Sequence, residues 1–180
     1  MSMTTAQLAT LKTAILADAN LTALVASFST GAIKDYLNTP TAAYYVWQTA
    51  VSTQTLYDNI TWANFTPVDA PDGTATWTNR ALACQGKQFN VQIILQGRDT
   101  LNASKANVRA GLQDALTAIP SGVAGANKSG GWTNVQTAMQ RLATNGEKVF
   151  ASGLGTTASP STLGFEGYIQ DSDVVQALTT

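Results

Sequence analysis

Residues 74–96, TATWTNRALACQGKQFNVQIILQ, decide the fold because they carry two periodicities at once. Trp77, Ala81 and Cys84 share one helical spacing, and Leu82, Phe89 and Ile93 share another. The tail, Phe89-Asn90-Val91-Gln92-Ile93, also alternates apolar and polar residues as a half-buried strand would. Periodicity leaves 89–95 open between helix and strand, and composition favours helix. The stretch has no proline and one interior glycine, Gly86, and its Ala, Leu, Gln, Lys and Arg residues are good helix formers. A single helix over 74–96 would run ~35 Å at 1.5 Å per residue, enough to be the spine of the fold.

Toward the C-terminus, Gly97 closes this helix and a second is expected over 102–119. Val108, Leu112, Ala115 and Ile119 form its stripe, and Pro120 stops it. Residues 121–131 are glycine-rich and polar and read as a loop. A third helix is expected over 133–144, with Trp132, Val135, Met139 and Leu142 on one face and an extension at Lys148-Val149-Phe150. Residues 152–161 are small and read as a linker with nothing to bury. Beyond it Leu163, Phe165 and Ile169 alternate roughly as a strand, and Asp171 and Ser172 cap a short helix carrying Val174, Val175 and Leu178.

Toward the N-terminus, Thr4 and Gln7 have capping-box spacing ahead of a helical stripe of Leu8, Leu11 and Ile15. Asn20 is a candidate cap for a short helix with Leu21, Leu24, Val25 and Phe28, and Thr30 for another ending near Leu37. Asn38-Thr39-Pro40 ends it, since the residue before proline is pushed out of the α region. Tyr44, Tyr45, Val46, Trp47, Leu56, Trp62 and Phe65 read as core, although the elements of 41–66 stay open. The fold class expected is mainly α: a helical bundle over residues 1–150, with a C-terminal extension over 151–180 containing a short strand and a short helix.

Composition narrows the function classes. Charged residues make up 12% of the 180, against a typical ~25%, and 28 alanines and 26 threonines fill the gap. The chain has no histidine and a single cysteine, so a disulfide scaffold and histidine-based haem, zinc or proton-shuttle sites are excluded. A net charge of −1 gives no global basic field for sequence-independent DNA binding. No apolar run is long enough to span a bilayer, and Met1-Ser2-Met3-Thr4-Thr5 lacks a signal-peptide start, so cytoplasmic synthesis is expected with no membrane contact. So few charges suit a surface covered by neighbours, because a small monomer usually keeps more for colloidal stability.

Candidate chemical groups are scarce. Cys84 sits on an apolar helix face with no histidine to form a thiolate pair, so it reads as a small hydrophobe. Asp171 and Asp173 are two apart and suit a helix start better than a metal. Lys128 follows glycines without the phosphate-loop spacing. No catalytic, metal or cofactor residue is assigned. One charge asymmetry stands out: Arg80, Lys87, Arg98, Lys105 and Arg109 fall in thirty residues holding one acid, Asp99. They are candidates for inter-subunit pairing or for lining a lumen.

The order of several pieces carries a resemblance. The chain opens with Leu8-Ala9-Thr10-Leu11-Lys12-Thr13-Ala14-Ile15-Leu16-Ala17-Asp18 and continues with Asn107-Val108-Arg109-Ala110-Gly111-Leu112-Gln113-Asp114. Gln140-Arg141-Leu142-Ala143-Thr144-Asn145-Gly146-Glu147-Lys148-Val149-Phe150-Ala151 follows, then Gly155-Thr156-Thr157-Ala158-Ser159-Pro160-Ser161-Thr162-Leu163-Gly164-Phe165-Glu166-Gly167. This succession resembles a family of small proteins encoded among the virion assembly genes of tailed bacteriophages, and within it the head-to-tail adaptors. The resemblance implies a homo-oligomeric ring, twelve-fold in such adaptors, at the virion neck between the portal protein and the stopper or tail. Genomic DNA would pass through the lumen without specific binding. It further implies a C-terminal extension that docks on a neighbour, here through Leu163, Phe165, Tyr168, Ile169, Val174, Val175 and Leu178. The aromatic region 41–66 departs from the adaptor pattern. A tail-completion or minor head protein is the alternative, and a small enzyme a more distant one.

Overall fold

The computed structural model describes residues 3–65, 77–120 and 127–180, the side chains of 77–82 excepted. In chain order come α1 (Thr5–Ala17), α2 (Thr22–Ala26), α3 (Thr30–Leu37), β1 (Pro40–Trp47), β2 (Val51–Ser52) and α4 (Thr53–Asn59), then a 3₁₀ turn at Trp62–Phe65. Next are α5 (Trp77–Leu95), β3 (Thr100–Leu101), α6 (Ala106–Leu116), β4 (Ile119–Pro120), β5 (Asn127–Lys128) and α7 (Trp132–Ala138). The chain ends with β6 (Gln140–Thr144), α8 (Asn145–Val149), β7 (Ala151–Ser152), β8 (Thr162–Leu163) and α9 (Asp171–Thr179). The chain divides into two compact units, one joining Met1–Trp47 to Arg141–Thr180 and the other formed by Gln48–Gln140.

In the first unit, the Thr4 hydroxyl accepts from the Gln7 N–H, and the Gln7 side chain accepts from the Thr4 N–H at 2.9 Å. Two otherwise free donors of the first turn are satisfied in this way. The stripe of Leu8, Leu11 and Ile15 is buried against Ile33 and Leu37 of α3 and against Ile169, Val174 and Ala177, in one cluster. α9 therefore lies on α1 and α3. Asn38 fixes its approach: its side-chain amide donates to the Ile169 carbonyl at 2.9 Å and accepts from the Ile169 N–H at 3.0 Å. Full burial of Ile169 and Val174 contributes ~1.5–3 kcal/mol each.

β1 pairs with β6, and its other edge takes main-chain bonds from residues 155 and 161. The Tyr45 N–H donates to the Gly155 carbonyl at 2.7 Å, and the Ser161 N–H donates to the Tyr45 carbonyl at 2.9 Å. Gly155 has φ +68°, and a Cβ there would collide with the Tyr44 ring, so this position requires glycine. The stretch expected as a linker is thus anchored on β1. Ser161 is fully buried, with its hydroxyl 2.8 Å from that of Tyr44.

In the second unit, α5 turns Cys84, Val91 and Leu95 inward and packs on α6 and β4. Leu112, Ala115 and Leu116 of α6 are fully buried. The helix ends before Ala118, whose φ of 50° is left-handed and so interrupts helical hydrogen bonding. The chain then enters β4, which pairs antiparallel with β5, while β2 pairs antiparallel with β3. Gly130 lies under Ile119, Leu116 and Phe65, all within 3.1 Å of where a Cβ would stand.

The mainly-α bundle expected from sequence is corrected. Among the described residues 53% are helical, in nine helices, and 17% are strand in small antiparallel sheets, a mixed α/β arrangement. Two differences supply its longest strands. Residues 40–47, left unassigned, form β1, as their Thr, Tyr, Val and Trp content favours. The helix expected over 133–144 stops at Ala138 and becomes β6 at Gln140. There Gln48 intervenes: its N–H donates to the Met139 carbonyl and its side-chain amide to the Ala138 and Gln140 carbonyls, each at 3.0 Å. Those carbonyls are consequently drawn out of helical pairing. The helical spacing of Leu142 with Val135 and Met139 does not reflect burial, since Leu142 is exposed.

Candidate functional site

Three features stand out: a buried charge cluster, a polar depression and an apolar helix face. In the first unit, Thr144 caps α8 in a second capping box. Its hydroxyl accepts from the Glu147 N–H at 3.1 Å, and its own N–H donates to Glu147 Oε2 at 3.0 Å. Glu147, only 3% exposed, then receives both Arg141 nitrogens at 2.7 Å in a bidentate pair, and Arg141 also reaches Glu166 at 3.1 Å. Burial alone would raise the Glu147 carboxyl, but the bonds from Arg141 and Thr144 outweigh it and hold it below its ordinary value. The Glu147 bond in turn pushes Arg141 above its own. A carboxylate satisfied on both oxygens does not abstract protons at neutral pH, so the cluster ties β6 to α8 rather than performing chemistry. The Thr144-x-x-Glu147 spacing of this box is legible in the sequence.

The depression is about 260 Å³ and is lined by Asp18, Tyr36, Asn145 and Lys148, among others. Asp18 accepts from the Tyr36 hydroxyl at 2.8 Å and from the Asn20 amide at 2.9 Å. Burial pushes this carboxyl up, but those hydrogen bonds bring it below its usual range. Asp18, Asn20 and Tyr36 satisfy one another.

The third feature lies on α5. Phe89 is 61% and Ile93 50% exposed, one turn apart on the side opposite Cys84, Val91 and Leu95. Gln85, Gly86, Gln88 and Gln92 surround Phe89 in a shallow depression of about 530 Å³.

The residues singled out from sequence fall as follows. Of the proposed docking set, Ile169 and Val174 are core, Leu163, Phe165, Val175 and Leu178 are half-buried, and Tyr168 is exposed. Phe165 packs on Phe150 with ring centroids 5.4 Å apart. The segment thus folds back on its own helices. Among the basic residues, Lys87 donates to the Asp114 carbonyl and lies 3.5 Å from its carboxylate. Arg109 donates to the Ala103 carbonyl at 2.6 Å, and burial lowers its pKa. Arg98 and Lys105 are exposed, and the Arg80 side chain lies outside the described residues. Lys87 and Arg109 are thus engaged within their own unit. Cys84 is fully buried, its Sγ 3.3 Å from the Pro120 carbonyl. Asp173 is 6% exposed and accepts from the Gln170 N–H at 2.9 Å, an N-terminal helix contact. Lys128 lies in β5 and Asp171 at the start of α9.

No described helix is long and apolar enough to cross a membrane, and the described residues contain no group of three or more His, Cys, Asp or Glu able to hold a metal. Comparison with known proteins gives no matching family model, no matching curated protein and no matching solved structure.

Proposed function

We propose that the protein is a non-catalytic structural component of a tailed-phage virion, working as a head-to-tail adaptor between the portal and the stopper or tail. The observation that carries this reading is the outward face of α5. Phe89 and Ile93 stand in solvent on a helix whose opposite side is core, in a chain with half the usual charge. Such a surface is made for protein contact rather than for solvation. The order of sequence pieces resembling phage assembly proteins supplies the setting, and the self-satisfied Arg141–Glu147 and Asp18–Tyr36 groups agree with a building role. DNA in the lumen would slide past with only weak phosphate contacts, since Lys87 and Arg109 are engaged within the fold and only Arg98 and Lys105 are exposed among the described side chains of that basic set.

The test is removal of the gene from the phage that encodes it, followed by negative-stain imaging of the lysate. The expected result is filled heads and separate tails, with joining restored when purified protein is added. Joined, infectious particles made without the protein would overturn the adaptor role. Localisation to the capsid wall or tail tip would reassign the protein to another station.

A further inference from the structure

We infer that Asn145-Gly146 is a latent modification site: the folded first unit holds the asparagine shut, and once that unit opens the residue converts to isoaspartate, which bars refolding. The inference goes beyond the virion reading and does not rest on it.

Asn145 is the one asparagine of the sequence followed by glycine. Without a Cβ, glycine leaves the approach to its nitrogen open and its backbone free to turn. The Gly146 nitrogen, giving its proton to water, attacks the Asn145 Cγ; a C–N bond forms and the side-chain nitrogen leaves as ammonia. Water then opens the cyclic imide at either carbonyl. One opening leaves aspartate, and the other leaves an isoaspartyl link in which the main chain runs through Cβ and Cγ. The net change is hydrolysis of an amide, with water as the only co-reactant.

Ring closure needs rotation about both the Cα–Cβ and the Cα–C bonds of Asn145, and the fold opposes each. Asn145 is the first residue of α8. Its side-chain amide donates to the Tyr36 carbonyl and to the Thr39 hydroxyl, each at 3.0 Å, and its N–H donates to the Thr39 carbonyl at 2.9 Å. The two amide bonds fix Cα–Cβ. Gly146 is buried, and a Cβ there would run into Ile169 and stand 3.1 Å from the Leu37 carbonyl oxygen. The 145–146 peptide therefore has no room to swing, which fixes Cα–C. The same packing demands glycine at 146, so the reactive pair is a consequence of the fold.

The isoaspartyl link inserts an extra backbone carbon between Thr144 and Glu147. Those two residues close the capping box, the Thr144 hydroxyl accepting from the Glu147 N–H at 3.1 Å and the Thr144 N–H donating to Glu147 Oε2 at 3.0 Å. Both bonds depend on the ordinary spacing of the chain between them. The lengthened chain also carries a new carboxylate beside Gly146, which sits buried beneath Ile169. Closing the unit over an unpaired charge is opposed, so the modified chain stays open. Conversion thus marks, in one direction, molecules whose first unit has opened.

The test is incubation of the full chain in mildly alkaline buffer, with and without denaturing guanidinium chloride, followed by peptide mass mapping. Site-resolved mapping is needed because Asp72-Gly73 can form the same linkage. Conversion at residue 145 is expected in denaturant and at least about tenfold slower in the folded protein, because it waits on opening. Equal rates in the two would overturn the protection. The denatured samples are then diluted into native buffer, and refolded protein is separated by size exclusion from chains that fail to fold. Isoaspartate at 145 is expected only among the chains that fail, in a proportion rising with incubation time. Refolded protein that carries it would overturn the bar to refolding. Asn145→Ser has no amide to lose, so the fraction of it that refolds is expected not to fall with incubation time. A fall as fast as that of the wild type would overturn the assignment to Asn145.

Discussion

Glu147→Gln tests whether the Arg141–Glu147 pair holds its unit together. The carboxylate accepts from both Arg141 nitrogens at 2.7 Å and from the Thr144 N–H at 3.0 Å, all at a site 3% exposed. The amide keeps the shape, but one oxygen becomes an NH₂ that faces the guanidinium in either orientation, and at the Oε2 position the Thr144 N–H as well, donor against donor. Losing one charge-assisted bond costs ~1.5–3 kcal/mol, and breaking a buried pair from one side ~3–5 kcal/mol. Arg141 is 30% exposed and keeps Glu166, so solvent and that second carboxylate offset part of the loss. About 2–3 kcal/mol is expected, read from urea unfolding at pH 7 by far-ultraviolet circular dichroism.

The pH dependence supplies a second, independent reading. Glu147 ionises below its ordinary value in the folded protein, against burial, because Arg141 and the Thr144 N–H hold the charged form. A depressed carboxyl stabilises the fold fully above its unfolded value of about 4.3 and loses that contribution as pH falls through the folded value. The gap between wild type and variant should therefore be open at pH 7 and narrow below about pH 4. A gap under about 0.5 kcal/mol at pH 7, or one of equal size in acid, would refute the argument.

Three further outcomes are expected. Leu112→Ala and Ile169→Ala each remove a buried side chain, 0% and 1% exposed, and should cost ~2–5 kcal/mol in denaturant unfolding; a loss below about half a kilocalorie would deny burial. The Cys84 thiol should react with a thiol reagent only as the protein unfolds, and Cys84→Ser should keep the native spectrum; fast labelling of the folded protein would contradict its burial. Gly155→Ala should lower the thermal midpoint, since φ +68° and the Tyr44 ring both oppose a Cβ there; an unchanged midpoint would mean that 155–161 is not fixed on β1.

What could be read from the sequence was local. The capping box at Thr4 and the stripe of Leu8, Leu11 and Ile15 gave α1 to within a residue, because both ends of that argument lie inside one helix. Over 89–95 composition favours helix without deciding against the short alternation, and the structure is helical there. What the sequence hid was set by distant partners. β1 and β6 are 92 residues or more apart along the chain, and β6 exists because Gln48 takes the carbonyls that would continue α7. No periodicity in residues 133–144 announces a glutamine so far away. The face of α5 was half legible: Phe89 and Ile93 share a spacing, but only the structure shows which stripe of the helix is core.

The C-terminal segment shows how an argument from apolar content can be right and incomplete. Seven apolar residues over 163–178 cannot remain in water, and the structure removes most of them from it. Apolar content says that a segment must be covered, but not by what. What decides it is residues 152–161, whose small side chains have the composition of a linker. Their glycines and serines are there for fit: Gly155 under Tyr44, and Ser161 hydrogen-bonded to the Tyr44 hydroxyl, hold that stretch against β1. Held there, the chain has only eight residues from Ser161 to Ile169, which the Asn38 amide then seizes by both main-chain groups. A small-residue run is flexible when nothing requires its smallness. Here a tyrosine ring requires it, and the same composition that suggests reach instead fixes the segment at short range.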